Sequence, residues 1–136
     1  NKWHNFQEGS DQNYIFLRLA DILLLKAEAL NELGDLAGAA ALVNQIRSRV
    51  NLPNTTAANQ ADMRRAIEKE RRLELAFEGH RWYDLKRTGR AITVINAAVG
   101  ANGENLGYSL NENRLLWPIP QAELDKNTKL TQNPGY

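Results

Sequence analysis

The sequence predicts an all-α, mainly helical protein, and three observations support this fold class. Two helix-favouring segments, residues 14–34 and 35–53, follow each other with only a Gly-Asp pair between their apolar patterns. A third segment, residues 61–78, also combines apolar residues with strong helix formers. Gly, Asn and Pro are concentrated after residue 99, where we expect irregular loops and a short extended segment near the C-terminus.

The first predicted helix covers residues 14–34. Asp11 or Asn13 offers a side-chain cap at its start, and Gly34 supplies a stop at its end. Apolar residues surround almost the whole helix. The narrow polar stripe that remains consists of Arg18, Asp21, Glu28 and Glu32. Such a helix needs neighbours on most of its sides, and the rest of this short chain is too small to cover it.

Asp35 opens the second predicted helix, and the short connection makes the two helices an antiparallel hairpin. The spacing of small and apolar residues across this hairpin resembles one tetratricopeptide unit. The residues that fit the spacing are Ala27, Leu30, Gly34, Ala39, Val43 and Ile46. A second and poorly matched hairpin of the same kind is expected at residues 61–99.

The third predicted helix combines an apolar stripe with many charges. The apolar stripe is expected to consist of Ala66, Leu73, Ala76 and Phe77. Glu70 falls on the same stripe, so its carboxylate needs a partner if it is buried. The candidate partners are Arg18, Arg71 and Arg81. Local pairs are also expected at helical spacing, namely Glu68 with Arg72, Arg71 with Glu74, and Asp84 with Arg87. We therefore expect a network of Arg and Glu that holds the third helix against the first.

Shorter elements are expected after the third helix. HRWYDLKRTGR, residues 80–90, predicts a short helix that ends at Gly89, and residues 91–99 form either another short helix or an apolar bridge. The Gly- and Asn-rich residues 100–114 predict a mobile loop. The prolines of LLWPIP, residues 115–120, exclude helix there, so this segment is expected to be extended before a short helical turn and an irregular tail.

Composition and charge exclude several classes of function. The net charge is only +1, and acidic residues alternate with the basic run at residues 64–72, so we expect no nucleic-acid binding. The absence of Cys excludes disulfides, thiolate metal sites and Cys nucleophiles within this chain. No apolar run is long enough for a membrane span.

The charged stretch around residues 74–80 raises the question of catalysis. Glu74 and Glu78 lie four residues apart on one helical face, and His80 follows them, so the three side chains are candidates for a cation site or for general acid-base work. Such a carboxylate spacing is common on helices, and the sequence contains no phosphate-binding loop and no nucleophile motif. We therefore predict no metal, no cofactor and no enzyme activity.

Four motifs occur in a specific order along the chain. They are RxADILLLxAEA from Arg18, ERRLELAFEGHRWYDLxR from Glu70, LWPIPQxEL from Leu116 and TQNPGY from Thr131. In this order they resemble the C-terminal part of the SusD/RagB family. On this resemblance, residues 1–136 are a single C-terminal domain fragment, with a helical hairpin at about 14–50, signature helices at about 61–99, and a loop and tail at about 100–136.

The resemblance implies a binding protein and not an enzyme. Members of the family are lipoproteins on the outer face of the outer membrane, where they bind oligosaccharides or other nutrients and deliver them to a TonB-dependent transporter. The resemblance implies that this chain is mainly scaffold, that most of the ligand site lies outside it, and that the membrane is reached only through an N-terminal lipid anchor outside this chain. The signature residues, which we expect to be structural, are Arg18, Glu28, Glu70, Arg71, Glu74, Glu78, Arg81, Trp82 and Asp84.

A ligand site within this chain would need exposed aromatic residues, because sugars stack on Trp and Tyr. The candidates are Trp3, Tyr108 and Trp117, with Asn102 and Asn105 as polar neighbours of Tyr108. Tyr108 is expected to be exposed in its loop, whereas Trp117 is expected to be packed. The alternative interpretation of the whole chain is a tetratricopeptide-like module that binds a protein.

Overall fold

The computed structural model describes residues 15–136, and the part described is mainly helical. The helices are α1 Leu19–Glu32, α2 Leu36–Ser48, α3 Gln60–Glu74, α4 His80–Arg87, α5 Ala91–Asn96 and α6 Gln121–Lys126, with a 3₁₀-helix at Glu112–Leu115. One isolated antiparallel bridge, Val99 with Asn105, is the only β-pairing within residues 15–136. The predicted fold class is therefore confirmed. The chain forms two compact units that divide between Ala76 and Phe77.

The first helix begins later than the sequence predicted. Arg18 is extended, with φ −138° and ψ 156°, and α1 starts at the next residue without a side-chain cap. The Arg18 guanidinium instead donates to the backbone carbonyl of Glu74, at the C-terminal end of α3 where helix carbonyls lack intrahelical partners. The predicted caps, Asp11 and Asn13, lie outside the described residues, as does Trp3.

The predicted hairpin is confirmed. Gly34 has φ +86°, a left-handed conformation that ends α1 at low cost only for glycine. The Asp35 carboxylate then accepts the backbone N–H of Gly38 at 2.8 Å and caps α2. The chain reverses between these two residues, and α2 packs along α1.

The core of the first unit lies between α1, α2 and α3. Its buried residues are Ala20, Leu24, Ala27, Ala39, Val43, Ile46, Met63 and Ile67. Four of the six residues at tetratricopeptide spacing belong to this core, Leu30 packs against it, and Gly34 makes the turn. The opposite side of α1 remains apolar and exposed, which agrees with the expectation that this helix needs further neighbours. Its exposed residues include Leu19, Ile22 and Leu25, and the exposed C-cap Leu33 follows them.

The buried stripe of α3 differs from the predicted one. Met63 and Ile67 are buried, whereas Leu73 is exposed and Phe77 lies beyond the end of the helix at φ +67° with its ring in solvent. The positions that complete the buried stripe are Glu70 and Arg71. The prediction holds for Ala66, which packs against the core, and was wrong for Leu73 and Phe77. The two charged side chains are buried instead because they find partners inside the unit, so their burial is tolerated.

The second unit contains short helices and long connections. α4 ends before Gly89, as predicted, and residues 91–96 are helical, which resolves the choice between helix and apolar bridge. The side chain of Asn96 exchanges two hydrogen bonds with the backbone of Leu110, at 2.9 and 2.7 Å. This contact ties the end of the Gly- and Asn-rich loop to α5. No helix in the described part of the chain is long and apolar enough to span a membrane.

Candidate functional site

The most deeply buried charges in residues 15–136 form an ion pair between α3 and α1. Arg71 Nη1 donates to Asp21 Oδ1 at 2.8 Å and to the Asp21 backbone carbonyl at 3.3 Å. The two side chains are only 4% and 6% exposed. The predicted attachment of the third helix to the first is therefore confirmed, and the member of the polar stripe that makes it is Asp21.

Glu70 is buried, and its partner is different from the three candidates. Its carboxylate accepts from Arg47 of α2 at 2.8 Å, and Arg47 also donates to the carbonyl of Pro53 at 2.7 Å. Consecutive residues on an α-helix point about 100° apart. Glu70 and its neighbour Arg71 therefore reach two different helices, and the pair of contacts joins α3 to both members of the hairpin.

Glu74, at the end of α3, makes further ion pairs with residues that flank α1 and α2. Its carboxylate accepts from Arg18 at 2.7 Å and from Arg49 at 2.8 and 2.7 Å. Two guanidinium groups thus surround a carboxylate that the sequence had offered as a metal ligand or a general base. Among residues 15–136, no group of three His, Asp or Glu side chains is arranged to hold a metal ion.

The signature residues of the second unit include one further local pair. Asp84 accepts from Arg87 at 3.0 Å, as the i,i+3 spacing predicted. The Asp84 backbone carbonyl also accepts the Thr88 hydroxyl at 2.7 Å, at the end of α4. The remaining signature residues, Glu28, Glu78, Arg81 and Trp82, are partly exposed.

The predicted ligand loop is exposed and partly engaged in its own structure. Tyr108 is 55% exposed, as expected. The Asn105 side chain accepts the N–H of Gly107 at 2.8 Å, and the N–H of Asn102 donates to the Glu104 carboxylate at 3.0 Å. A ligand role for Tyr108, Asn102 and Asn105 stays a prediction.

Trp117 is 80% exposed, so the expectation that it is packed was wrong. The structure holds this segment by its backbone and not by the indole. Asn133 Nδ2 donates to the carbonyl of Trp117 at 2.6 Å, and the hydroxyl of Tyr136 donates to the carbonyl of Leu116 at 2.9 Å. The side chain of Trp117 is therefore left facing solvent, and its ligand role also stays a prediction.

The side-chain amide of Gln132 bonds the backbone of this extended segment as a neighbouring β-strand would. Gln132 accepts the N–H of Ile119 at 2.8 Å and donates to the carbonyl of the same residue at 2.9 Å. Pro118 and Pro120, on either side, carry no N–H and cannot extend a ladder. We refer to the contacts of Gln132, Asn133 and Tyr136 with this segment as the C-terminal clamp.

The clamp residues were missed by sequence reasoning. The signal that points to them is the pair of prolines, because an extended segment with blocked N–H groups still needs donors for its carbonyls. The LWPIP and TQNPGY motifs are thus two halves of one local structure.

Comparison with known proteins agrees with the four motifs. The chain matches the SusD family over residues 4–136. It is 42% identical over 135 residues to the SusD-like protein P38 of Formosa agariphila, a match that covers 93% of this chain and 25% of that protein. It is 28% identical to the starch-binding protein SusD of Bacteroides thetaiotaomicron, over 99% of this chain and 25% of that protein.

The fold is also similar to a solved structure. A crystal structure of a SusD-like protein from Bacteroides fragilis superposes with a TM-score of 0.77 at 36% identity, over 91% of this chain and 26% of that chain. This chain therefore spans about a quarter of the length of these relatives. The family is one of binding proteins and not of enzymes, in agreement with the prediction from sequence. On the match over residues 4–136, this chain belongs to the SusD family.

Proposed function

We propose that this chain is the scaffold portion of a cell-surface nutrient-binding lipoprotein that takes part in oligosaccharide uptake. The scaffold role is supported by the ion pairs that residues of α3 make with the helical hairpin. Glu70, Arg71 and Glu74 each pair with a residue of α1, α2 or their flanks, so these charges join helices. The sugar class rests on the relative named as a starch-binding protein.

The proposal includes a protein partner and a location. The partner is a TonB-dependent outer-membrane transporter, and the protein is held at the outer membrane by a lipid anchor outside this chain. Family membership supports both parts of the proposal. A lipid-attachment Cys in the natural precursor, and a transporter gene beside its own, are the expected observations.

The test is calorimetric titration of an oligosaccharide panel, including starch oligosaccharides, into the 136-residue chain and into the full-length protein. We expect the full-length protein to bind and the 136-residue chain to bind weakly or not at all. Lack of binding by the full-length protein to any sugar would refute the sugar class. Full affinity in the isolated chain would refute the scaffold role.

A matched pair of variants separates structural residues from ligand residues. Glu74→Gln in the full-length protein is expected to lower the melting temperature and to leave the sugar affinity of the folded protein unchanged, because the Glu74 carboxylate binds Arg18 and Arg49, which flank α1 and α2. Tyr108→Ala is expected to leave the melting temperature unchanged, because the ring is largely exposed. A loss of sugar affinity in Tyr108→Ala would place a ligand contact in this chain.

The alternative function is a tetratricopeptide-like module that binds a protein. The observation that favours it is the apolar and exposed side of α1, which includes Leu19 and Ile22. Further helical hairpins upstream, without a lipid-attachment Cys and without sugar binding, would favour this alternative.

A further inference from the structure

Asn102 and Gly103 lie in the loop between α5 and the 3₁₀-helix and form the only Asn-Gly pair of the sequence. A side-chain amide that precedes glycine is open to attack by the backbone nitrogen of that glycine, because glycine has no Cβ to shield its own nitrogen. The nitrogen and the amide carbon are close along the same chain. The reaction is therefore intramolecular and needs no second protein and no cofactor.

The turn at this pair requires a glycine. Gly103 has φ +82°, a left-handed conformation that residues with a Cβ rarely adopt. Its N–H donates to the carbonyl of Gly100 at 3.1 Å, and the N–H of Gly100 donates to the carbonyl of Glu104 at 2.8 Å. The conformation of the loop therefore keeps the least shielding residue directly after Asn102, because a larger residue there would strain the turn.

The side-chain amide of Asn102 has the freedom that the attack requires. In the described part of the chain this amide makes no hydrogen bond, and only the backbone N–H of Asn102 is bound, by the Glu104 carboxylate at 3.0 Å. Two other amides of the same segment are held in place. Asn96 exchanges two hydrogen bonds with the backbone at the far end of the loop, and Asn105 accepts the N–H of Gly107. Of these three amides, that of Asn102 is the one that can turn toward the following nitrogen.

One hydrogen bond opposes the reaction. The nitrogen of Gly103 must lose its proton before it attacks, and the same N–H is bound to the carbonyl of Gly100. The loss of one backbone hydrogen bond slows the reaction by about two- to tenfold relative to the unfolded chain. The turn therefore delays the attack but does not prevent it.

We propose that Asn102 is a site of spontaneous deamidation. The Gly103 nitrogen gives its proton to a hydroxide ion and forms a bond to Cγ of Asn102. The Cγ–Nδ2 bond then breaks, and the amide nitrogen leaves as ammonia after it takes a proton from water. The product of this step is a cyclic succinimide.

Water then opens the succinimide ring in one of two directions. Attack at Cγ breaks the new C–N bond and yields aspartate at position 102. Attack at the backbone carbonyl carbon breaks the original peptide bond and yields isoaspartate, in which the chain continues through Cγ. The net reaction consumes one water and releases one ammonia, with no oxidation or reduction.

Both products change the loop. Each adds a carboxylate close to that of Glu104, which binds the N–H of the same residue, and each cancels the net charge of +1. Isoaspartate also adds one carbon to the backbone between Val99 and Asn105, the two residues that form the isolated antiparallel bridge. We expect this bridge to be lost in the isoaspartate form.

The test follows each Asn by peptide mass spectrometry after incubation of the full-length protein at mildly alkaline pH, below its melting temperature. Trypsin releases residues 91–114 as one peptide with five Asn, so the other four are internal controls with the same history. We expect Asn102 to lose its amide at least about tenfold faster than any of these four. Aspartate and isoaspartate are both expected among the products, and a sample digested without incubation gives the baseline.

A synthetic peptide of residues 91–114 sets the time scale, and the full-length protein is expected to react about two- to tenfold more slowly. Asn102→Gln is the matched control variant, because it keeps a side-chain amide whose attack would close a larger ring. Its peptide is expected to remain unmodified over the same period. Retention of the Asn102 amide in the full-length protein, over a period that allows for this slower rate, would overturn the inference. Equal rates at Asn102 and Asn105 would also overturn it, because the loop would then select neither site.

Discussion

The ion pair between Arg71 and Asp21 allows a quantitative test of how the first unit is held together. Arg71→Met removes the guanidinium and keeps most of the side-chain volume. It leaves the Asp21 carboxylate, whose side chain is 6% exposed, without this partner. Removing one member of a buried pair costs about 3–5 kcal/mol, because the remaining charge is no longer compensated.

The loss of stability in Arg71→Met is expected to depend on pH, which gives a second test. A buried carboxylate without a partner can lower its free-energy cost by taking up a proton. Protonating an ordinary aspartate costs about 4 kcal/mol at pH 7 and about 1.5 kcal/mol at pH 5, at about 1.4 kcal/mol for each pH unit. The destabilisation by Arg71→Met is therefore expected to be about 4 kcal/mol at pH 7 and about 1.5 kcal/mol at pH 5. The stability of the variant rises as pH falls, because its folded state then binds one proton more than its unfolded state.

Urea unfolding of the chain, followed by far-ultraviolet circular dichroism, measures this difference. With a slope of about 2 kcal/mol per molar urea, a loss of about 4 kcal/mol lowers the midpoint by about 2 M. The control is Arg72→Met at the exposed neighbouring position, with an expected change within about 0.5 kcal/mol. In Arg71→Met combined with Asp21→Asn, the extra pH dependence is expected to disappear. An equal loss at both pH values, or an unchanged midpoint, would refute the reasoning.

Three further predictions concern single contacts of the first unit. Glu70→Gln is expected to lower the free energy of unfolding by about 2 kcal/mol, because Arg47 loses a charged acceptor but is itself 22% exposed; a loss as large as that of the buried α1–α3 pair would contradict this ranking. Gly34→Ala is expected to cost about 1–2 kcal/mol in thermal unfolding, since φ is +86° there, and an unchanged melting temperature would argue against the left-handed turn. Two hydrogen bonds from Arg64, both 2.5 Å long, lower the pKa of Glu32 below its ordinary value of 4.5. The stability from this pair is present at neutral pH and is lost as pH falls through the lowered pKa. An NMR titration should find that Arg64→Ala raises the pKa of Glu32. An identical pKa in both proteins would exclude the contact in solution.

Much of the helical hairpin was predictable from the sequence. Gly34 and Asp35 act through the conformation of their own backbone and a hydrogen bond three residues away, so their effects can be recognised locally. The burial of Ala27, Val43 and Ile46 followed from helical periodicity, which depends only on the spacing of apolar residues.

The start of α1 and the buried stripe of α3 were not predictable in this way. Both depend on contacts between residues that are about fifty positions apart, such as Arg18 with Glu74. An analysis by periodicity assigns apolar side chains to the core and charged side chains to the surface. It cannot identify a charged side chain that is buried because it forms an ion pair in the core. Periodicity therefore placed Leu73 in the core, whereas in the structure Leu73 is exposed and Arg71 is buried.

The sequence by itself determined the helical class, the turn of the hairpin, the extended prolines of LWPIP and the family, because each depends on local conformational preference or on the order of motifs. Only the tertiary structure decided which arginine neutralises Glu70 and that Trp117 faces solvent. The physical reason is that an ion pair or a side-chain clamp is selected by the distance between atoms in the folded chain. That distance is set by the packing of all the helices and loops together, and several arginines or amides in the same sequence have the chemistry to make each contact.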